Sequence, residues 1–318
     1  MVPSRLRSIT PLIAIATCVA LVGILVVPFY LLPRSIRDLP RNAPRHIVAR
    51  FAVVALACVC APLIVAALLT PAARAPHSLW RWLGVHTTAL VQASLVGPLL
   101  VVVLFAGPLT EWAIGSCAAR RRARAAASAV AAAMPLDDAA AAATAPAARR
   151  APSTLLLVRA RALLVAPISE EWIFRACMFP LIVSAGYGCS ASLLMNGALF
   201  GVAHLHHIFD KVEQGMAWPR ALKVVGFQFC FSSIFGTIAS FLVLRTGHVT
   251  GAILAHAFCN LMGPPDLGFT SDRHPLHAHQ RTIAVAYLVG IAAFALLLFP
   301  ATNPTSFDSV LWATCAAN

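Results

Sequence analysis

Charge is what this chain has least of: Asp, Glu, Lys and Arg together make up 11% of its 318 residues, against roughly 25% in an average soluble domain. That scarcity excludes an ordinary water-soluble enzyme. The 17 glycines follow no period, which excludes a collagen-like rod, and nine cysteines in a chain of this length do not make a disulfide scaffold. Neither a CxxC pair nor HExxH is present, so the usual zinc spacings are missing. Long apolar runs, in a chain with 60% of its residues apolar, exclude disorder.

Those runs point to a membrane. A helix crosses the hydrocarbon core with about 20 mostly apolar residues, and its backbone groups must be satisfied within the segment, so helices rather than strands are expected. Runs of this kind cover 9–32, 51–70, 88–109, 155–183, 191–205, 224–244, 249–262 and 282–300. The expected fold is therefore all-α, a polytopic transmembrane bundle of about eight segments. The fifth and seventh are short for a full crossing.

The net charge of +13 reads as topology rather than as a nucleic-acid surface. Arg34, Arg37, Arg41, Arg45 and Arg50 crowd the first connection, and Arg120, Arg121, Arg122, Arg124, Arg149 and Arg150 crowd the third. The second holds only Arg74 and Arg81. Connections one and three are expected in the cytoplasm and the N-terminus on the opposite side, although Arg5 and Arg7 argue mildly the other way. The opening apolar stretch exceeds a signal-peptide core and reads as a first membrane helix.

Cys18, Cys58, Cys60, Cys177, Cys230 and Cys259 fall in apolar segments as small hydrophobes, and no disulfide is required. Cys315-Ala-Ala-Asn318 has the outline of a prenylation box with an unusual last residue. Four regions follow: N-terminal transmembrane helices over 1–117, an Ala/Arg-rich low-complexity cytoplasmic loop over 118–153, a transmembrane core over 154–265, and a C-terminal loop, last helix and tail over 266–318.

Ionisable groups within the bilayer cost at least about 2.5–3.5 kcal/mol each, so those that occur there are functional candidates. Three clusters stand out, all in 154–265. In Glu170-Glu171-Trp172-Ile173-Phe174-Arg175, helical spacing pairs Glu171 with Arg175 and turns Glu170 about 100° away, leaving one free carboxylate. A free carboxylate in an apolar cavity is a candidate general base. Phe200 and His204 share a face one turn apart, and Gly201 permits close helix approach. His206 and His207 read as loop or interface histidines. His256 and Asn260 share a face inside an apolar segment and need a common polar partner or cavity. A carboxylate with a histidine can activate water, and a histidine with an asparagine can stabilise an oxyanion, which is a peptidase's equipment.

At these residues the sequence resembles the type II CAAX prenyl endopeptidases, within the CPBP group of intramembrane peptidases. The paired-Glu motif EExxxR appears as Glu170-Glu171 to Arg175, FxxxH as Phe200 to His204 and HxxxN as His256 to Asn260, in order. The resemblance covers about 155–265 well and is thinner upstream; the Ala-rich insertion departs from the pattern but leaves the motifs intact. It implies an endoplasmic reticulum multi-pass protease, with its active site facing the cytosol, that removes the aaX tripeptide from prenylated Cys-a-a-X proteins. Glu170 would polarise water with His204, and His256 with Asn260 would hold the oxyanion. Glu171, Arg175 and Phe200 would support them. No metal or other cofactor is implied; the partners would be farnesylated or geranylgeranylated proteins and membrane lipid, not nucleic acid. Two other readings stay open: a zinc-dependent membrane protease, since histidines and carboxylates also bind Zn²⁺, and a non-catalytic scaffold or carrier with polar groups at mid-membrane.

Overall fold

The computed structural model describes residues 9–133 and 152–317. Arg5, Arg7, Arg149, Arg150, Asn318 and residues 134–151 of the Ala-rich stretch expected as a loop lie outside the described residues. The described residues contain helices and no strands. In chain order they are α1 (Pro11–Tyr30), α2 (Pro44–Leu68), α3 (Leu90–Leu104), α4 (Ala106–Ala133), a helical run over 152–184 (α5), α6 (Cys189–Val202), α7 (His207–Glu213), α8 (Trp218–Thr246), α9 (Val249–Met262), α10 (Gln280–Ala301) and α11 (Val310–Ala316). Each of the eight expected segments coincides with a helical passage. By length and composition four helices among the described residues can span a membrane, or five when α3 and α4 count as one broken span. The 14-residue helices α6 and α9 rise only about 21 Å each, short of a full crossing.

Local chemistry explains the starts and breaks. Thr10 caps α1, its hydroxyl accepting from the Ile13 amide at 3.3 Å, and Pro11 follows, where a missing N–H costs nothing. The segment expected as one span over 88–109 is instead two helices meeting at 66°. Pro108 explains the break: it lacks the N–H that would bond to Leu104 and its ring clashes with that carbonyl, so it is tolerated only in the first turn of a new helix. The expected span over 155–183 is continuous, but two stretches of π-helix, Arg161–Val165 and Trp172–Met178, flank the paired glutamates. Single π turns inside α-helices often mark functional sites.

α5 is the axle of the bundle. Residues 173–183 are all buried, so this half is apolar and covered all round, as an interior helix must be. It packs against Leu21 and Leu25 of α1 and Ala57, Ala61 and Val65 of α2, and Trp172 Nε1 donates to Cys58 O at 2.9 Å, fastening α5 to α2. Elsewhere small residues set the spacing, as expected where apolar lipid removes any hydrophobic drive between helices. A Cβ on Gly97 of α3 would lie 2.6 Å from Gly251 O of α9, so these helices cross in backbone contact.

Contacts sort the connections between the two ends of the bundle. At one end Tyr30 OH donates to His206 O, Arg161 Nη1 donates to Arg41 O, and Arg41 lies 3.6 Å from Asp210. At the other end His86 Nε2 donates to Gly247 O, Ser309 Oγ donates to Leu244 O and Arg81 pairs with Asp308. This second end also carries a correction to the cysteine reading: Cys189, opening α6, and Cys315, in α11, form a disulfide. Separated by 126 residues, they share no local pattern that spacing alone could reveal. The six cysteines read as hydrophobes are free thiols.

Candidate active site

The three polar clusters expected from the sequence converge. Arg175 and Glu171 are fully buried and paired, Nη1 donating to Oε1 at 3.1 Å. The same Oε1 accepts from His256 Nδ1 of α9 at 2.8 Å; because an ionised carboxylate only accepts, Nδ1 carries the proton. Arg175 Nη2 donates to Gly236 O of α8 at 3.1 Å, and its guanidinium lies over the Phe200 ring of α6, 4.3 Å from the centroid. One arginine thus ties α5 to α6 and α8, and one carboxylate ties α5 to α9.

Glu170 is turned away from this pair, as the helical spacing requires. Its Oε2 lies 3.9 Å from His204 Nε2 and 3.8 Å from His256 Nε2. These separations are too long for direct hydrogen bonds, and suit a small bridging group. His204 follows α6, and its Nδ1 donates to Phe200 O at 2.8 Å. In the neutral ring that leaves Nε2 as an acceptor aimed at Glu170. Glu170 is partly open, with 24% of its side chain exposed, whereas Glu171 is sealed.

Close helix contact sets the depth of His204. A Cβ on Gly201 would meet Ser233 Oγ and lie 2.9 Å from Phe229 O of α8. Asn196, one turn further back on α6, donates from Nδ2 to Phe174 O at 2.9 Å and accepts from Ser240 Oγ at 2.8 Å. Sequence reading passed over Asn196 and Ser240. Their signal was faint: two uncharged polar residues in apolar runs, of which only Asn196 lies one turn from a residue already singled out, Phe200.

Asn260 sits differently from the expectation of a partner shared with His256. Its side chain is exposed and Nδ2 donates to Ala162 O at 2.9 Å, in the first π-helical stretch of α5. It still lines a cavity with His256. His206 donates from Nδ1 to Ala203 O, and His207 pairs with Asp210 at 3.2 Å, which places His206 in the turn before α7 and His207 at its start. Asp210 is held below the usual carboxylate range chiefly by that His207 hydrogen bond. Among the described residues, no three His, Cys, Asp or Glu side chains converge in a geometry that could hold a metal ion.

Two cavities meet at His204. One, of about 330 Å³, is lined by Glu170, His204, Ser169 and the arginines Arg41, Arg50 and Arg161. The other, of about 470 Å³, runs between α8 and α9 and is lined by His204, His256, Asn260 and the rings of Phe200, Phe227, Phe231 and Phe235.

Residues 152–262, which hold all of these motifs, match the family model described as type II CAAX prenyl endopeptidase, Rce1-like. Over this segment the chain is similar to the Rce1-like family of type II CAAX prenyl endopeptidases. Three relatives bear the same name, CAAX prenyl protease 2. That of Arabidopsis thaliana is 38% identical over 150 residues, covering 46% of this chain and 45% of the relative. That of Caenorhabditis elegans is 40% identical over 139 residues, covering 44% and 52%. The Homo sapiens protein is 29% identical over 275 residues, covering 86% and 77%. The chain spans about half the length of the first two and most of the third. No solved structure matches the chain. The Rce1-like segment begins at Pro152 and ends at Met262, so it takes in α5 to α9 and contributes lining residues to both cavities.

Proposed function

We propose that the protein is an intramembrane endopeptidase that hydrolyses the bond between the prenylated cysteine and the aaX tripeptide of Cys-a-a-X proteins. The observation that carries this reading is the position of Glu170 Oε2, facing His204 Nε2 at 3.9 Å and His256 Nε2 at 3.8 Å beside open cavities. A water molecule there would give a proton to Glu170 while its oxygen bonds to the cysteine carbonyl carbon. The carbon–nitrogen bond then breaks, the proton passes to the leaving amine, and the cysteine keeps a carboxylate. His204, with its acceptor nitrogen toward Glu170, orients the water. His256, held through Nδ1 by Glu171, turns Nε2 toward the developing oxyanion, and Asn260 has a second amide N–H to donate to it. Glu171, Arg175 and Phe200 hold these groups in place. No serine or cysteine nucleophile is needed.

The α8–α9 groove supports the substrate class. Its aromatic lining beside Asn260 suits an isoprenoid tail, with the peptide reaching Glu170 from the arginine-rich end. That end, with most of the loop arginines, is the cytosolic face by the positive-inside rule. The Cys189–Cys315 disulfide at the other end suits the oxidising lumen of the endoplasmic reticulum, and we place the protein in that membrane. The test is cleavage of a farnesylated Cys-a-a-X peptide by the purified protein, read by mass spectrometry against the same peptide without its isoprenoid. Tripeptide release that requires the isoprenoid is the expected result. No release by folded protein favours the scaffold or carrier reading.

A further inference from the structure

The cavity on the arginine side of His204 carries more positive charge than its own acids can neutralise. Arg41, Arg50 and Arg161 all line it. Arg41 has Asp210 at 3.6 Å. Arg161 spends two donors on Arg41 O and Asn42 Oδ1, each at 3.0 Å. Arg50 lies over the Phe29 ring at 4.0 Å, and among the described residues neither Arg50 nor Arg161 has a carboxylate within ion-pair distance. Unneutralised guanidinium groups in a part-enclosed cavity favour an anion, and their planar forks fit a carboxylate best.

The geometry also fits one particular anion. Arg161 precedes Glu170 by nine residues on α5, about 13 Å along a helix axis. Three extended residues span about 10 Å, so a chain with its first amide at Glu170 brings its terminal carboxylate within reach of the arginine side chains. The opposite cavity has four phenylalanine rings and a single cation, Lys211, in its lining, against three guanidinium groups here, so the two sides of His204 differ in charge.

Resting on the endopeptidase reading above, we infer that Arg50 and Arg161, with Arg41 beside them, bind the C-terminal carboxylate of the aaX tail. They set the register of the substrate: the carboxylate anchors one end, the isoprenoid the other, and the bond three residues from the chain terminus lies over Glu170. This gives the site a way to measure three residues.

The test compares a farnesylated peptide ending in a free carboxylate with the same peptide ending in a carboxamide, on wild type, Arg50→Gln, Arg161→Gln and Arg50→Lys, each checked for folding by thermal melting. Wild type is expected to prefer the acid in kcat/KM by roughly 10- to 100-fold, the range for a lost charge-assisted hydrogen bond. The Gln variants lose that preference through a raised KM for the acid alone, and Arg50→Lys retains part of it. Equal use of both peptides by wild type overturns the subsite while leaving the endopeptidase reading intact. So does an equal loss on both peptides in folded Gln variants, which assigns the arginines to lipid headgroups or to the fold. Cleavage of neither peptide by wild type overturns both.

Discussion

Arg175→Met is the substitution with the largest consequence the structure specifies. Arg175 and Glu171 are both fully buried, and Met fills a similar elongated volume, so what is lost is mainly charge and hydrogen bonding. Removing one partner of a buried pair leaves the other uncompensated and costs about 3–5 kcal/mol. Gly236 O and the Phe200 face also lose their partner, which keeps the cost at the upper end of that range. For a chain of this size each kcal/mol moves the midpoint by roughly 2–4 °C, so Arg175→Met should melt about 6–20 °C below wild type at fixed detergent and scan rate. Adding Glu171→Gln removes the stranded charge. The double variant should regain most of the lost midpoint, because a neutral buried pair carries little ionic desolvation cost. Activity should not return with it, since His256 Nδ1 then faces a neutral amide rather than the carboxylate that orients its ring. Arg175→Met melting within about 1 °C of wild type, or a double variant less stable than the single, would refute the reasoning.

Three further outcomes follow from the packing and the ends of the bundle. Gly201→Val places side-chain atoms against Ser233 and Phe229; it should lower the melting midpoint and cut activity at least about tenfold by lifting His204 out of register, since small misplacements are costly in catalysis. Reduction of Cys189–Cys315, which closes 126 residues of separation, should destabilise the fold by up to about 5 kcal/mol on the chain-entropy account; maleimide labelling of both cysteines only after reduction checks the pairing. His86, outside the spans, is pushed down to about 4 by burial and then by its neighbour His248. Between about 4 and its ordinary value of 6.5 the unfolded chain binds a proton there that the folded chain does not, so stability should fall as pH drops through that window. His86→Gln should flatten that part of a melting-versus-pH curve.

The all-α class and the grouping of the polar residues were legible because each has a local signature. The apolar runs mark α1 and α10 closely and miss the polar first turns of α2 and α8, and i, i+4 spacing fixed which face Glu171 and Arg175 share. That spacing also separated Glu170 from its neighbour before any contact was known. The 66° break between α3 and α4 was not read, although Gly107-Pro108 held its cause, because apolarity continues through it. The disulfide and the Asn260–Ala162 bond join residues 126 and 98 apart, and a one-dimensional pattern carries no distance between such positions. The arginine cluster was read as topology alone; that Arg41, Arg50 and Arg161 meet beside Glu170 follows only from the packing of α2 against α5.

The central claim is that Glu170 activates the attacking water without a metal ion. Its most direct test is tripeptide release from a farnesylated Cys-a-a-X peptide by wild type and Glu170→Gln, each with and without a strong zinc chelator. Glu170→Gln is close in shape and should melt near wild type. The account predicts release that survives the chelator and falls at least about 10³-fold in Glu170→Gln. Loss on chelation restored by added Zn²⁺, or full activity in Glu170→Gln, would contradict it.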